Sequence, residues 1–288
     1  MSAAGKLTRR ALRAHPLPDP CRSESKEDRG QVLVVGGSRE VPGAVLLAAI
    51  AALRAGAGKL QVATASAAAL PLAIELPEAM VMGLPMDRAG RIRAASANVL
   101  AQAALADALL VGPGMAPTPA TQRVAKALLA RAPRGVVLDA GALQLPVIEA
   151  IAARRRARPA ILTPHLGEMA SLLDRDLAAI ENAARDIARE HAQRWGVVLV
   201  LKGATTHIGT PDGAVWTHTG GSVGLGTSGS GDVLAGIIAG LAARGADAVG
   251  AALWGVYLHA EAGARLSRRS GPVGFLAREI GAEVPALL

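Results

Sequence analysis

From residue 30 onward, short and continuously apolar runs rich in Val, Ile and Leu alternate with longer alanine-rich stretches: QVLVVGG, then GAVLLAAIAALRAG, then KLQVAT, and later ALLVGPG, GVVLDAG and AILTPH. Strand-length runs separated by helix-length segments predict repeated β-α-β units and a parallel sheet. The runs VLVV, LLV, VVLD and VLVLK show no polar alternation, so helices should cover both faces of that sheet. The expected fold class is therefore α/β, a three-layer α/β/α sandwich with a mostly parallel central sheet. Residues 44–55 predict a largely buried helix that stops at Gly56 and Gly58. Residues 177–195 mix charged and apolar positions at helical spacing and predict one amphipathic helix with a solvated charged face. Pro211, Asp212 and Gly213 predict a turn between two strands, which would add an antiparallel hairpin at one edge of the sheet. Residues 1–29 are rich in Pro, Ser and charge without sustained periodicity. They predict a flexible N-terminal leader or docking arm ahead of a single domain over 30–288.

Composition narrows the class. Of the 288 residues 51% are hydrophobic, enough for a large core. The longest uncharged apolar runs, 43–53 and 233–243, fall short of the roughly 20 residues a spanning helix needs. No apolar stretch resembling a secretion signal follows the opening MSAAGKLTRR. The expectation is a cytoplasmic protein without membrane contact. A lone cysteine, Cys21, makes neither an internal disulfide nor a Cys-rich metal site and fits a reducing compartment. The formal charge of +8 raises nucleic acid as a partner, yet aromatic residues are only 2% and the basic residues fall in short clusters such as Arg154, Arg155 and Arg156. Platforms for stacking bases are nearly absent, so no nucleic acid is expected. A basic surface equally attracts a polyanionic small substrate.

Candidate chemistry concentrates at glycine-rich strand ends, where open α/β sheets bind ligands. The strongest local motif is GLGTSGSGDVLAGIIAGLAA, residues 224–243. Gly229, Ser230 and Gly231 let backbone N–H groups approach a phosphate, and the start of the following helix adds partial positive charge. Asp232 opens that helix and reads either as a cap or as a general base for a hydroxyl attacking phosphorus. Gly112 and Gly114 in VGPG allow a close ligand or simply make a strand-to-helix turn. Lys202, at a strand end, reads as a phosphate contact or a solvated terminus. By itself His165 reads as an ordinary loop or cap residue.

Taken in order, these segments resemble ribokinase-like enzymes with a GxGD motif and, more specifically, the ADP- or ATP-dependent NAD(P)H-hydrate dehydratases. The segments are VVGGSREVPGA, LVGPGM, VLDAGAL, ILTPHLGEMASLL, VLVLKGATT and GTSGSGDVLAGIIAGL, followed by YLHAEAG. The resemblance runs from about Gly30 to the C-terminus and is loosest after His259; Ser228 stands where many relatives have another glycine. It implies a ribokinase-like fold and a carbon-oxygen lyase activity in which hydrated NADH or NADPH is the substrate, ADP or ATP the co-substrate and Mg²⁺ the cofactor. Residue by residue, it implies that Asp232 is the catalytic base and that Ala44, Gly114, His165 and Asp232 contact the hydrated nicotinamide nucleotide. Lys202, Gly203, Ala204, Thr205 and Thr206 would border the adenosine monophosphate part of the nucleotide, with Gly229, Ser230 and Gly231 at its phosphates. Glu168 stands where related kinases place an acidic residue near magnesium, and Asp139 resembles another acidic position, which would hold a loop or water near that metal or accept backbone N–H bonds in a turn. The resemblance also implies a homotetramer, and a separate NAD(P)H-hydrate epimerase as functional partner, because the chain has no room for the epimerase domain fused to many relatives.

Two other readings share parts of this pattern. A kinase of the same fold, acting on a vitamin precursor such as a hydroxymethylpyrimidine or hydroxyethylthiazole, would keep Asp232 and stop at the phosphate ester. A non-catalytic nucleotide sensor would bind ADP and be indifferent to the Asp232 carboxylate. A dinucleotide oxidoreductase is disfavoured, because no GxGxxG follows the first strand.

Overall fold

The computed structural model describes residues 5–19, 25–132, 134–153 and 158–288. Cys21 and the cluster of Arg154, Arg155 and Arg156 lie outside the described residues. The chain is organised around a mixed sheet whose spatial order is β1-β10-β9-β8-β7-β6-β5-β2-β3-β4. In sequence the strands are β1 (Gly5–Lys6), β2 (Gln31–Val35), β3 (Lys59–Ala65), β4 (Ala79–Leu84), β5 (Ala108–Val111), β6 (Gly135–Leu138), β7 (Ile161–Leu162), β8 (Val198–Leu201), β9 (Thr206–Gly209) and β10 (Val215–His218). From β4 across to β8 every neighbouring pair is parallel, whereas β9 is antiparallel to both β8 and β10.

Continuous apolar strands serve two cores at once, because successive side chains point to opposite faces. Val32 and Val34 join one cluster with α1 (Gly43–Arg54), α2 (Ser66–Glu75), α9 (Ser230–Ala243), α10 (Ala248–Ser270) and α11 (Ala277–Glu283). Leu33 and Val35 join the other, with α3 (Ala97–Leu105), α4 (Pro119–Leu129), α5 (Leu145–Ala152), α6 (Leu166–Leu173), α7 (Leu177–Asn182) and α8 (Ala184–Trp195). The three-layer expectation is met for that physical reason.

Helices α1 and α9 touch backbone to backbone. A side chain at Gly236 would meet the carbonyl oxygen of Ala48 at 2.1 Å, and one at Gly240 the carbonyl of Ala52 at 2.4 Å. The alanine and glycine content of both helices is thus a steric requirement of this crossing.

Three expectations are corrected. The single helix over 177–195 is two, broken at Ala183, whose φ of −113° and ψ of 14° leave the helical region. The turn at 211–213 is present, with the Gly213 N–H donating to the Thr210 carbonyl at 2.9 Å. Its hairpin, however, is not the edge: β1 pairs in parallel with β10 and lies outside it. Third, the described part of the 1–29 leader packs on the domain. Leu7 and Leu12 are buried, the Trp254 indole N–H donates to the His15 carbonyl at 2.7 Å, and Arg244 donates to the Pro18 carbonyl at 3.0 Å. Burying those two leucines offsets the entropy of ordering a segment whose composition alone suggested mobility. Among the described residues no helix is long and apolar enough to cross a membrane.

Candidate active site

Strand order reverses between β2 and β5, and at such a switch point the carboxyl ends of neighbouring strands open a crevice. Gly114 sits there with φ of +67°, and a side chain on it would stand 2.9 Å from the Ala44 Cβ and 2.7 Å from the Val41 carbonyl oxygen. Ala44 and Gly114 are therefore neighbours, at the start of α1 and just after β5, as one wall of the crevice.

The glycine loop that precedes α9 packs against the same helix, α1. Gly229 precedes α9 with φ of +88°, a conformation that L side chains avoid, and a Cβ on it would collide with Leu47 Cδ1 at 2.5 Å. The loop is thus closed against α1, next to the wall built by Ala44. Ser230 is the first residue of α9, and its buried hydroxyl lies 3.0 Å from His259 Nε2 on α10. The same ring nitrogen lies 3.1 Å from the Ser230 carbonyl oxygen. Burial pushes the His259 imidazole down to about 4, against the Ser230 bond and together with the charge of Lys202, so the ring is neutral.

Beside the loop stands a charged cluster. Lys202, just past β8, is held by its backbone N–H on the Pro164 carbonyl at 2.8 Å, which places it beside His165 at the end of β7. Its ammonium is 3.1 Å from Asp139 Oδ1, and a side chain on Gly231 would come within 3.2 Å of that nitrogen. The buried Asp139 carboxylate also accepts the Thr163 hydroxyl at 2.7 Å. Burial opposes the charge on Lys202, but Asp139, Glu168 and Asp232 outweigh it and hold the ammonium protonated above its ordinary range. Asp232 is pushed up to about 7, chiefly by burial and then by the Asp139 charge, with Lys202 opposing and Glu168 adding. A carboxyl group poised near neutrality, facing a fixed cation at a helix N-terminus, is equipped to accept a proton where negative charge is handled.

Of the residues singled out from the sequence, His165, Lys202, Gly203, Ala204, Thr206, Ser230 and Gly231 line one cleft of about 550 Å³. Asp232 and Glu168 act on it through charge, and Thr205 does not border it. His165 caps α6: its Nδ1 accepts the N–H groups of Gly167 at 3.0 Å and Glu168 at 3.2 Å, while the Glu168 carboxylate accepts the His165 N–H at 2.8 Å. The cap reading of His165 thus holds, and it leaves the exposed side of the ring toward the cleft. The buried Asp139 is the counter-ion of Lys202. His218 and His259, which also line the cleft, were passed over in the sequence. The only sequence signal was the histidine in YLHAEAG. A larger cavity, about 1070 Å³, lies away from this chemistry, among Arg9, Arg13, Arg29 and Arg244.

A mixed, mostly parallel α/β sheet with a glycine loop, a fixed lysine and a carboxyl group raised toward neutrality at one helix N-terminus defines a ribokinase-like phosphoryl-handling site. The same fold recurs in a ribokinase-like superfamily protein from Enterococcus faecalis, at a TM-score of 0.80 and 26% identity over 98% of this chain and 95% of that one. The NAD(P)H-hydrate dehydratase family model matches residues 32–286, and the chain belongs to that family. An ADP-dependent (S)-NAD(P)H-hydrate dehydratase of Xanthomonas campestris is 52% identical over 98% of this chain and 95% of its own length. The Bacillus subtilis ADP/ATP-dependent NAD(P)H-hydrate dehydratase, co-crystallised with ATP/Mg²⁺, superposes with a TM-score of 0.82 at 30% identity, covering 100% of this chain and 98% of that one. Other relatives are bifunctional NAD(P)H-hydrate repair enzymes, of which the chain spans about half the length.

Proposed function

We propose that this chain uses the terminal phosphate of ADP or ATP to dehydrate the S-epimer of hydrated NADH and NADPH, restoring the reduced dinucleotide. The observation that carries the reading is the Asp139–Lys202 pair set against Gly231, with Asp232 held near neutrality beside it. The hydrated nicotinamide ring lies on the wall of Ala44 and Gly114, within reach of His165, and its C6 hydroxyl faces Asp232. Asp232 accepts the hydroxyl proton; the oxygen attacks the terminal phosphorus, and the bond to the nucleotide breaks, leaving AMP from ADP or ADP from ATP. Lys202 and the N–H groups of Gly229, Ser230 and Gly231 balance the charge spread over the transferring group, and Gly203, Ala204, Thr205 and Thr206 border the adenosine monophosphate part. The ring nitrogen then expels phosphate, and loss of a proton from the adjacent carbon restores the double bond.

Magnesium fits as an ion carried on the nucleotide. Among the described residues no group of three His, Cys, Asp or Glu side chains forms a cage, whereas Mg²⁺ on phosphates needs only one or two carboxylates. Glu168, with part of its carboxylate used in the α6 cap, is the residue that would hold it, and the ion would neutralise phosphate oxygens. A homotetramer, a cytoplasmic location and a separate epimerase that interconverts the two hydrates complete the proposal.

The test is to incubate the protein with hydrated NADH, Mg²⁺ and ADP or ATP, following absorbance at 340 nm and free phosphate together. Recovery of NADH matched by phosphate release, and lost in Asp232→Asn, is the expected result. A phosphorylated product that persists moves the reading to a vitamin-precursor kinase; nucleotide binding without turnover moves it to a sensor.

A further inference from the structure

Residues 5–18 precede the stretch matched by the family model, yet they are fastened to the elements that build the nucleotide side of the cleft. At one end β1 runs along β10, and the Leu7 N–H donates to the Thr217 carbonyl at 2.8 Å. At the other, His15 is held by Trp254 on α10 and Pro18 by Arg244 at the end of α9. These are the helices that carry His259 and the phosphate loop.

At the first anchor the arm also touches the cleft wall itself. His218 closes β10, and its Nδ1 lies 3.3 Å from the Leu7 carbonyl oxygen. A carbonyl only accepts, so Nδ1 carries the hydrogen and Nε2 of the neutral ring is left as an acceptor. That Nε2 is buried and finds no hydrogen-bond partner among the described residues. The ring borders the cleft beside Gly220, Ser230 and His259, and Gly220 lies so close to this nitrogen that a Cβ there would be 2.5 Å away. An orphaned acceptor costs stability unless something donates to it. A nucleotide brings such donors, in the amino group of the base and the hydroxyls of the ribose.

We propose that residues 5–18 are a strap that completes the nucleotide half of the site, acting through His218 as a positioning residue whose Nε2 accepts a hydrogen bond from the bound nucleotide; this rests on the proposed function. The Leu7 carbonyl selects the tautomer and fixes the ring plane. Burial keeps the ring uncharged, against the Leu7 bond and Glu261 and together with Lys6.

The test uses full-length chains and calorimetric titration with ADP, which reads binding whether or not turnover occurs. His218→Asn keeps a donor toward Leu7 and removes the Nε2 acceptor; it should weaken ADP binding roughly tenfold, with His218→Gln, which restores an amide at that position, recovering most of the loss. Leu12→Asp, which undocks the strap, should weaken ADP by a similar factor, and adding His218→Asn to it should cost nothing more, because both act on one contact. The KM for the hydrated dinucleotide should stay nearly constant, a split that general loss of structure does not produce. Should Leu12→Asp fail to fold, Trp254→Phe releases only the His15 anchor and takes its place. Unchanged ADP affinity in a folded strap variant or in His218→Asn, or fully additive losses, overturns the strap alone. A native chain that binds neither ADP nor ATP overturns the nucleotide site and the strap together.

Discussion

Asp232 is where the electrostatics of the site can be measured. Replacing it by Asn removes the proposed general base while preserving its volume, so turnover should fall by about 10² to 10⁴. In the native chain the rate should climb with pH through about 7, as the carboxyl group loses its proton. Stability should move the opposite way. The folded chain keeps the Asp232 proton up to about 7, whereas in the unfolded chain the group ionises near the ordinary aspartate value of 3.8. The folded state therefore binds more protons in that window, and stability is lost as pH rises through it. Because Asn does not ionise, Asp232→Asn should melt above the native chain at pH 8, and the gap should close as pH falls toward 4; calorimetric scans at several pH values check this. The residues of the candidate site were legible unequally. Asp232, Gly231 and Gly229 announce themselves in one contiguous motif. His218 and His259 do not, since their partners Leu7 and Ser230 lie 211 and 29 residues away in sequence.

Elements were legible where burial is two-sided. A strand that feeds two cores is apolar at every position, which is why VLVV and VLVL could be read directly. The break at Ala183 was hidden because both flanking segments keep helical periodicity. The docked arm was hidden for another reason: beside two buried leucines it is held through the backbone carbonyls of Leu7, His15 and Pro18, which no side-chain pattern records. The helix pair α1 and α9 gives the sharpest test at this scale. One begins beside the Ala44 wall and the other carries Asp232, and their closest approach is at Gly236. Gly236→Ala should force them apart at a cost of about 1–3 kcal/mol, visible as a lower urea midpoint, and should weaken nucleotide and hydrated dinucleotide together.

At the scale of the whole molecule, a ligand that binds only the folded chain stabilises all of it. ADP at about one hundred times its Kd should add about 2.7 kcal/mol, raising the melting temperature in the native chain and in Asp232→Asn alike, since the loop and Lys202 remain in both. A thermal scan showing no shift with either nucleotide would contradict the site.

The strand β1 has a consequence of a different kind. Among the described residues the outer ladder of β10 is covered by the short strand Gly5–Lys6 and the Leu7 N–H, and no further described strand pairs with β1. When that short cover lifts, β10 presents a row of open amides and carbonyls to any neighbour, a template on which a strand from a second molecule can form. The colloidal behaviour of this protein at high concentration, its tendency to stay dispersed or to seed aggregates, is therefore written in a few residues at the beginning of the chain, far from the residues assigned to the chemistry.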